Sequence, residues 1–398
     1  MNENRPLPAA NSGSNQSVPY LDGVRGLAIL LVALGHLFYD YYIFKIGWVG
    51  LNLFFVLSGF LITQRLFHFK EQSIVNYFRN FYARRFLRIF PLYYVVLIFF
   101  LIFLPGLSTR FQNYFSELTT IQWSYWLYTS NWNIISNGLP EQSLFFHFWS
   151  LAVEEQFYLV WPILFLIFYN ARCHYILIFG LIFVSMLMRV NTAESLHAYV
   201  STVTAAEPLL LGSLLSIVYQ NGILKKVASW MLLGVILSIS ALVLIFWQNN
   251  DLHITNAPLM KYGYSAINII MTFLICYLLL GGGIGLKFRR FFTMKWLRWL
   301  GKYSYGIYIF HWIILQTVIF KLNYLMLDAR FDDMAAYLLA RAAGILIILV
   351  ISYFSYQLFE RYFIGLKKYF TQDFDWKWPS IGFPLLQKGK GKFARNEG

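Results

Sequence analysis

Charged residues are scarce in this chain of 398 residues, at 13%, whereas 59% of the residues are hydrophobic. Soluble domains carry about 25% charged and about 45–50% apolar residues. The chain therefore lacks the polar surface of an ordinary soluble enzyme, and intrinsic disorder, a collagen-like fibre and a coiled coil are excluded as well. Aromatic residues reach 20%, as in proteins whose rings line the edge of the acyl chains. This composition indicates a protein that crosses a membrane many times.

Cysteines and acidic residues are also few. Two cysteines, Cys173 and Cys276, provide neither a disulfide framework nor a metal motif. Only 18 acidic residues oppose 32 Lys and Arg, for a net charge of +14. The basic residues form short clusters between apolar runs, which is typical of the charge bias that orients membrane proteins, so we expect no nucleic-acid partner. Residues 1–19 lack the apolar core of a signal peptide and are predicted to be a disordered cytoplasmic tail.

Ten segments have the length of about 20 mostly apolar residues that a bilayer crossing requires. The sequence therefore predicts an all-α polytopic membrane protein whose helices surround a polar cavity. Segment 113–135 is aromatic but dotted with polar residues, and we expect it not to cross; it is re-entrant or lies on the surface. The predicted spans are 22–42, 46–66, 86–105, 145–169, 173–191, 204–221, 229–247, 263–281, 303–322 and 335–358.

The distribution of basic residues predicts the orientation of these spans. With the N-terminus inside and segment 113–135 not crossing, 24 basic residues fall on the cytoplasmic side and seven on the outer side. Both termini are therefore expected in the cytoplasm, flanking a transmembrane domain at 20–360. Residues 361–398 form a basic tail, which either touches anionic lipid headgroups or simply solubilises the end of the chain. The predicted location is the bacterial plasma membrane, with the lipid bilayer as a partner.

The first span carries two polar side chains on one face. Arg25 and His36 are eleven positions apart, which is about three helical turns and about 16 Å along the axis. Ionisable residues inside spans are costly and usually face a functional cavity. The alternative is an arginine that reaches the interface and a histidine that bonds a neighbouring helix.

Two further motifs place charge in or beside spans. Arg85 and Arg88 share a helical face before the third span, where they can fork phosphate oxygens, although membrane orientation alone also explains basic residues there. Glu154 and Glu155 lie within the fourth span and point about 100° apart, so they cannot both line one narrow face. We expect at least one of them in a catalytic or cofactor cavity. Residues sharing the face of Glu154 are His147, Ser150 and Tyr158.

Other polar residues within spans are weaker candidates for lining a site. Glu207 is either another buried acid or a partner of Arg189. The sequence contains no GxSxG, HExxH, P-loop or GxGxxG motif, which removes the usual evidence for serine hydrolases, zinc proteases and nucleotide-driven pumps. The remaining candidates are a stripe in the ninth span, Ser304, Tyr308 and His311, and two residues of the second span for which helix packing is the favoured interpretation, Asn52 and Ser58.

Taken together, these motifs resemble those of the membrane acyltransferase-3 family. The chain has an R-x10-H pair in the first span, GLNLFFVLSGFLIT, an R-x-x-R pair in RRFLRIFPLYY, FWSLAVEEQFYLVWP and GKYSYGIYIFHW, in that order. The resemblance covers nearly the whole chain beyond residue 19. One departure is Asn52, which occupies a position where the family often has Asp, and this puts a catalytic role there in doubt.

The resemblance implies transfer of an acyl group, most commonly acetyl, from cytoplasmic acyl-CoA to a hydroxyl of a cell-envelope glycan or glycolipid. Acyl-CoA is then a co-substrate, and neither a permanently bound cofactor nor a metal is expected. Some members append an outer esterase-like domain, and none fits in residues 361–398. We therefore expect this chain to act alone or to hand its acyl group to a separate partner.

The spacing allows a mechanism for this transfer. Arg25, Arg85 and Arg88 bind the CoA phosphates, and the pantetheine arm, about as long as the rise from Arg25 to His36, brings the thioester to His36. His36 acts as general base or forms a transient acyl-histidine, and Glu154 or Glu155 fixes its tautomer. The rival hypothesis is a carrier or flippase of a lipid-linked glycan in which buried His and Glu relay protons.

Overall fold

The computed structural model describes residues 18–140, 143–168, 171–193, 196–249, 253, 256–280 and 284–370. Regular structure in these ranges is helical throughout, and ten helices are long and apolar enough to cross a membrane. They are α1 (Pro19–Leu37), α2 (Tyr42–Phe69), α3 (Ile74–Leu107), α4 (Phe148–Ile167), α5 (Arg172–Thr192), α6 (His197–Gln220), α7 (Leu224–Asn249), α8 (Leu259–Leu280), α9 (Lys295–Asp328) and α10 (Asp333–Tyr369).

The ten predicted spans are confirmed in number and order, but the first helix ends at Leu37 and not near 42, and several other helices extend beyond the predicted bounds. The third begins at Ile74 and not near 86, because the Ser73 hydroxyl accepts from Asn76 N at 3.3 Å and caps a basic stretch that is already helical. The ninth runs from Lys295 to Asp328, well beyond the predicted 303–322. An apolar window detects only the part of a helix that suits lipid, so polar ends escape it. We call the end at which α1 begins the basic end, and the opposite one the far end.

Segment 113–135 does not form a spanning helix, as predicted. It folds into short helices, of which Gln122–Trp126 and Ser130–Asn137 are the last two. Tyr93 and Tyr94 of α3 donate hydrogen bonds to the carbonyls of Tyr125 and Trp126, at 2.8 and 3.0 Å. These contacts lie at least 13 residues before the end of α3. The segment therefore returns into the bundle beside α3, as a re-entrant segment does.

Glycines bring the helices that carry the polar residues into direct backbone contact. A Cβ on Gly301 of α9 would overlap the carbonyl of Asp22 in α1, and one on Gly59 of α2 would overlap the carbonyl of Leu209 in α6. Small residues allow such close approach between membrane helices. Gly47 and Gly50 likewise seat the start of α2 against α1, which fits the packing interpretation of the second span. The first, second and ninth helices thereby surround one interior.

A second polar cluster is buried between α5, α6 and α8. Arg189 and Glu207, which are 0% and 2% exposed, form an ion pair at 2.5 Å. The Ser265 hydroxyl donates to Glu207 at 3.0 Å, and the Arg189 guanidinium lies 4.5 Å from the ring centroid of Tyr264. Of the two interpretations of Glu207, the partner of Arg189 is the one that the structure bears out.

Both predicted tails lie mostly outside the described residues. Residues 361–370, the first part of the predicted basic tail, continue α10 as helix and end against α3. Arg84 Nη1 donates to the carbonyls of Lys367 and Phe370, both at 3.0 Å. This part of the chain therefore belongs to the packed bundle.

Candidate functional site: a tapering passage along the first helix

A cavity of about 470 Å³ opens at the basic end, and we call it the vestibule. The three arginines predicted to act together, Arg25, Arg85 and Arg88, all line it. Arg85 and Arg88 share a face of α3, and the close contact of α1 with α9 brings Arg25 opposite them. The sequence-based selection missed five other basic residues of its wall, which are Arg65, Arg84, Arg298, Lys302 and Lys367.

The vestibule has the electrostatics of an anion site. Among the described residues its eight basic side chains face two carboxylates, and both of these are engaged: Asp22 with Arg25 at 3.3 Å, and Glu360 with the Ser355 hydroxyl at 2.9 Å. The Arg85 guanidinium lies over the Tyr158 ring, 5.4 Å from its centroid. Guanidinium groups bind phosphates through paired hydrogen bonds, so this wall suits a ligand with several phosphates.

A narrower cavity of about 100 Å³, the channel, continues from the vestibule. Arg25, Arg85, Arg88, Ser304 and Tyr305 line both spaces, which shows that they adjoin. Apolar side chains of α2 form much of the channel wall. Its polar residues include most of those selected from the sequence: Ser58, Ser150, Glu154, Tyr158 and Tyr308.

Glu154 is the acid that faces the channel. Its carboxylate lies within hydrogen-bonding reach of the Ser58 and Tyr158 hydroxyls, which also bond each other. Glu155 is absent from the lining of these cavities; its Oε1 is buried without a hydrogen-bond partner in the described part of the chain. The two acids are thus separated, as their angular offset predicted. Asn52 also lies apart, because its Nδ2 donates to Asn268 Oδ1 at 2.6 Å.

Tyr308 marks the far end of the channel. Its hydroxyl lies 2.6 Å from the His147 carbonyl, to which it donates, and 2.5 Å from Ser150 Oγ. Tyr308 and Leu51 line the channel and also a third space of about 40 Å³, the outer cavity. Aromatic side chains form most of the wall of the outer cavity. Its remaining lining residues are Val32, His36, Trp48, Phe146, His147, Trp149 and Tyr199.

His36 is oriented by His311, and the bond fixes both tautomers. His311 Nδ1 lies 2.7 Å from the Tyr308 carbonyl, which can only accept, so this nitrogen carries a proton. In a neutral His311 ring the other nitrogen, Nε2, is then an acceptor, and it lies 2.9 Å from His36 Nδ1. The His36 proton therefore resides on Nδ1, and Nε2 of His36 keeps its lone pair. The hypothesis that a glutamate fixes this tautomer is corrected: the partner is His311.

His147 is the second histidine of the outer cavity. Burial, with His311 and His36 nearby, holds the pKa of His147 well below its usual range, so the ring is neutral. Its Nε2 lies 3.1 Å from the Ile309 carbonyl and must donate to it. The other nitrogen, Nδ1, is consequently an acceptor, and it is buried without a hydrogen-bond partner among the residues that the structure describes.

The residues selected from the sequence thus form two groups, one at each end of a series of three adjoining cavities. Three arginines stand at the wide end and His36 at the narrow end, eleven residues further along α1, a rise of about 16 Å. The sequence-based selection missed the five other basic residues of the vestibule wall because it attributed them to the charge bias that orients the chain in the membrane. It also missed the rings of Trp48, Trp149 and Tyr199, which an aromatic-rich sequence does not distinguish from ordinary lipid-facing rings.

This architecture defines a polytopic helical membrane protein with a mouth rich in basic residues and a half-buried histidine that lines the last of three adjoining cavities. Sequence comparison agrees: the model of the acyltransferase domain of the acyltransferase-3 type matches residues 18–361. The chain belongs to this acyltransferase family. No solved structure matches it.

Relatives with assigned names are 27% to 31% identical to this chain over the aligned residues. The peptidoglycan O-acetyltransferase OatA of Listeria monocytogenes is 31% identical over 326 residues, which cover 76% of this chain and 50% of that protein. The O-acetyltransferase OatA of Staphylococcus aureus is 30% identical over 77% of this chain and 52% of its own length. A putative peptidoglycan O-acetyltransferase of Bacillus subtilis, YrhL, is 27% identical over 75% and 49%. The chain thus spans about half the length of these relatives.

Proposed function

We propose that this protein transfers an acetyl group from acetyl-CoA to a hydroxyl of a cell-wall glycan. The observation that carries the proposal is the series of three adjoining cavities along α1, which begins at a vestibule with eight basic side chains and ends at an oriented histidine. Membership of the acyltransferase family and the similarity to peptidoglycan O-acetyltransferases support the reaction type and the glycan acceptor.

The vestibule holds the nucleotide end of the donor. Arg25, Arg85 and Arg88 bind its phosphates through charge-assisted hydrogen bonds, with the other basic residues of the wall supplying long-range attraction. The pantetheine arm is uncharged and flexible and suits the mainly apolar channel. A rise of about 16 Å from Arg25 to His36 matches its length, so the thioester arrives at the outer cavity.

At the outer cavity His36 serves as general base. Its Nε2 takes the proton of the acceptor hydroxyl while the hydroxyl oxygen attacks the thioester carbonyl carbon. The tetrahedral intermediate then expels the CoA thiolate, which takes the proton back from His36. His311 Nε2 accepts from His36 Nδ1 throughout and stabilises the imidazolium, a role comparable to that of the acid in a Ser-His-Asp triad. An acyl-His36 intermediate leads to the same products.

The dimensions of the outer cavity favour the acetyl group. About 40 Å³ enclosed by the rings of Trp48, Trp149 and Tyr199 leaves room for a two-carbon acyl group but little more. Interiors packed this closely resist extra methylenes, each of which forces side chains to move. Longer acyl groups are therefore expected to react poorly.

The charge distribution supports one orientation in the membrane. The basic end carries the vestibule and most of the basic loops, and in this proposal it faces the cytoplasm, where acyl-CoA is made. The acceptor then approaches from the far end, either directly or through a separate esterase-like partner that receives the acetyl group.

The test is a reaction of the purified protein in nanodiscs with acetyl-CoA and chitotetraose, a soluble N-acetylglucosamine oligosaccharide. We expect free CoA and base-labile acetyl esters in equal amounts, and His36→Ala abolishes both. His197→Ala, which changes an exposed histidine, is the matched control and leaves the rate unchanged. Acetyl-CoA that is not consumed in the presence of this acceptor, or full activity of His36→Ala, contradicts the proposal. The rival hypothesis, a carrier of a lipid-linked glycan, predicts that acetyl-CoA is not consumed and that the lipid-linked glycan is moved across the membrane.

A further inference from the structure

The last turns of α10 form one wall of the vestibule. Tyr356, Glu360, Ile364 and Lys367 all line it, and their spacing is that of one helical face. The match to the acyltransferase domain ends at residue 361, so Ile364 and Lys367 lie beyond it. The vestibule of this chain is therefore completed by a segment that membership of the family does not assign.

Arg84 fixes this segment against α3. Its Nη1 donates to the carbonyls of Lys367 and Phe370, both at 3.0 Å. The half-buried Lys367 side chain is thereby held close enough to Arg85 and Arg88 to be repelled by their charges. Among the described residues no carboxylate forms an ion pair with Lys367. Like charges held together in a cavity favour an anion of high charge.

Arg65 of α2 is in the same situation. It lines the vestibule, is half-buried, and lies close enough to Arg84 to be repelled by its charge. No carboxylate in the described part of the chain forms an ion pair with it either. Arg65 and Lys367 thus approach Arg84 from two different helices, and their charges are not neutralised by the protein.

The position of these side chains indicates which part of the donor they meet. Arg65 and Lys367 line the vestibule but not the channel, whereas Arg25, Arg85 and Arg88 line both. The pantetheine arm occupies the channel, so the diphosphate joined to it lies at the channel mouth, among these three arginines. CoA carries a third phosphate on the ribose, beyond the diphosphate. This monoester has a charge of about −1.5 to −2 at neutral pH and lies farther out in the vestibule.

We propose that Lys367 and Arg65 bind the 3′-phosphate of CoA and that Arg84 positions Lys367 for this contact. The assignment rests on the proposed transfer from acetyl-CoA. It makes the vestibule selective for CoA over 3′-dephospho-CoA. An anionic lipid headgroup offers the same phosphate chemistry, and the test distinguishes the two sources.

The test is isothermal titration of the full chain with CoA and with 3′-dephospho-CoA, in phosphatidylcholine nanodiscs. We expect the wild type to prefer CoA on the order of 100-fold, as two charged hydrogen bonds predict. Lys367→Met should weaken CoA about tenfold and leave 3′-dephospho-CoA unchanged. Arg88→Ala should weaken both ligands equally. Lys368→Met, at an exposed neighbour that does not line the vestibule, is the matched control and should change neither.

Equal affinities of the wild type for the two ligands overturn the proposal. Equal losses for both in Lys367→Met also overturn it, because Lys367 then acts on another part of the nucleotide or on the fold. An effect of Lys367→Met that is confined to nanodiscs containing phosphatidylglycerol, and is equal for both ligands, assigns the cluster to a lipid headgroup and overturns the CoA assignment.

The titration needs no acceptor, which separates this inference from the proposed function. A wild-type protein that discriminates between the two ligands but forms no esters contradicts the proposed acetyl transfer alone. A wild-type protein that does not bind CoA contradicts both.

Discussion

His36 Nδ1 lies 2.9 Å from His311 Nε2, and the two rings, on α1 and α9, stack with their centroids 5.2 Å apart. Because the Tyr308 carbonyl fixes the proton of His311, this single contact decides which nitrogen of His36 is free to accept. A backbone carbonyl in one helix thereby sets the chemistry of a side chain in another.

We therefore expect His311→Asn to lower kcat on the order of 10²-fold while both KM values change little, because His36 loses the partner that fixes its tautomer. His311→Gln is the matched variant, since its amide oxygen falls near the position of Nε2 and can still accept from His36. Its kcat should stay within about tenfold of wild type. Steady-state kinetics with acetyl-CoA and chitotetraose measure both. Equal losses in the two variants argue that His311 only fills space.

Removal of one guanidinium from the vestibule should weaken donor binding selectively. We expect Arg88→Ala to raise the KM for acetyl-CoA by at least tenfold, since a hydrogen bond to a charged group contributes about 1.5–3 kcal/mol. The KM for the acceptor should not change. Arg290→Ala removes an exposed arginine at the same end and serves as the control. Similar increases in both KM values speak against a phosphate site.

The contact between α1 and α9 should not tolerate a side chain at its closest point. We expect Gly301→Val to destabilise the protein by about 1–3 kcal/mol or more, because the new Cβ overlaps the Asp22 carbonyl in α1. Gly180→Val, at a position with open space around it, should leave stability unchanged. Thermal unfolding in detergent compares them, and an unaltered Tm for Gly301→Val rules out this close approach.

The buried pair between α5 and α6 should behave as a unit. Glu207→Gln leaves the Arg189 charge without its partner, and we expect a loss of about 3–5 kcal/mol. Replacing both, as Arg189→Met with Glu207→Gln, should recover a large part of this stability because no uncompensated charge remains. Unfolding midpoints of the two variants and the wild type give the comparison. A double variant no more stable than Glu207→Gln contradicts the pairing.

Much of the fold could be predicted from the sequence because lipid imposes a simple code. A spanning helix must be apolar for about 20 residues, and this rule located all ten helices. The rule does not detect the polar ends of helices. For this reason the sequence did not predict that α3 begins as early as Ile74 and includes a basic stretch before its apolar part. It also cannot tell that residues 361–370 pack back onto Arg84, since that contact joins segments far apart in the chain.

The site was predictable only where its residues share one helix. Arg25 with His36, and Arg85 with Arg88, follow from helical geometry alone. The bond between His36 and His311 crosses two helices separated by 275 positions, and no local pattern reveals it. The separation of Glu154 from Glu155 was expected from their angular offset, but only the fold shows that Glu154 is the one facing the channel.

The volumes of the three adjoining cavities decrease from about 470 to about 100 and then about 40 Å³ toward the far end. A nucleotide that fits the first space is far too bulky for the last. If the donor is the coenzyme A thioester proposed above, the spent coenzyme leaves through the vestibule by which it entered, and only the acyl fragment passes toward the far end.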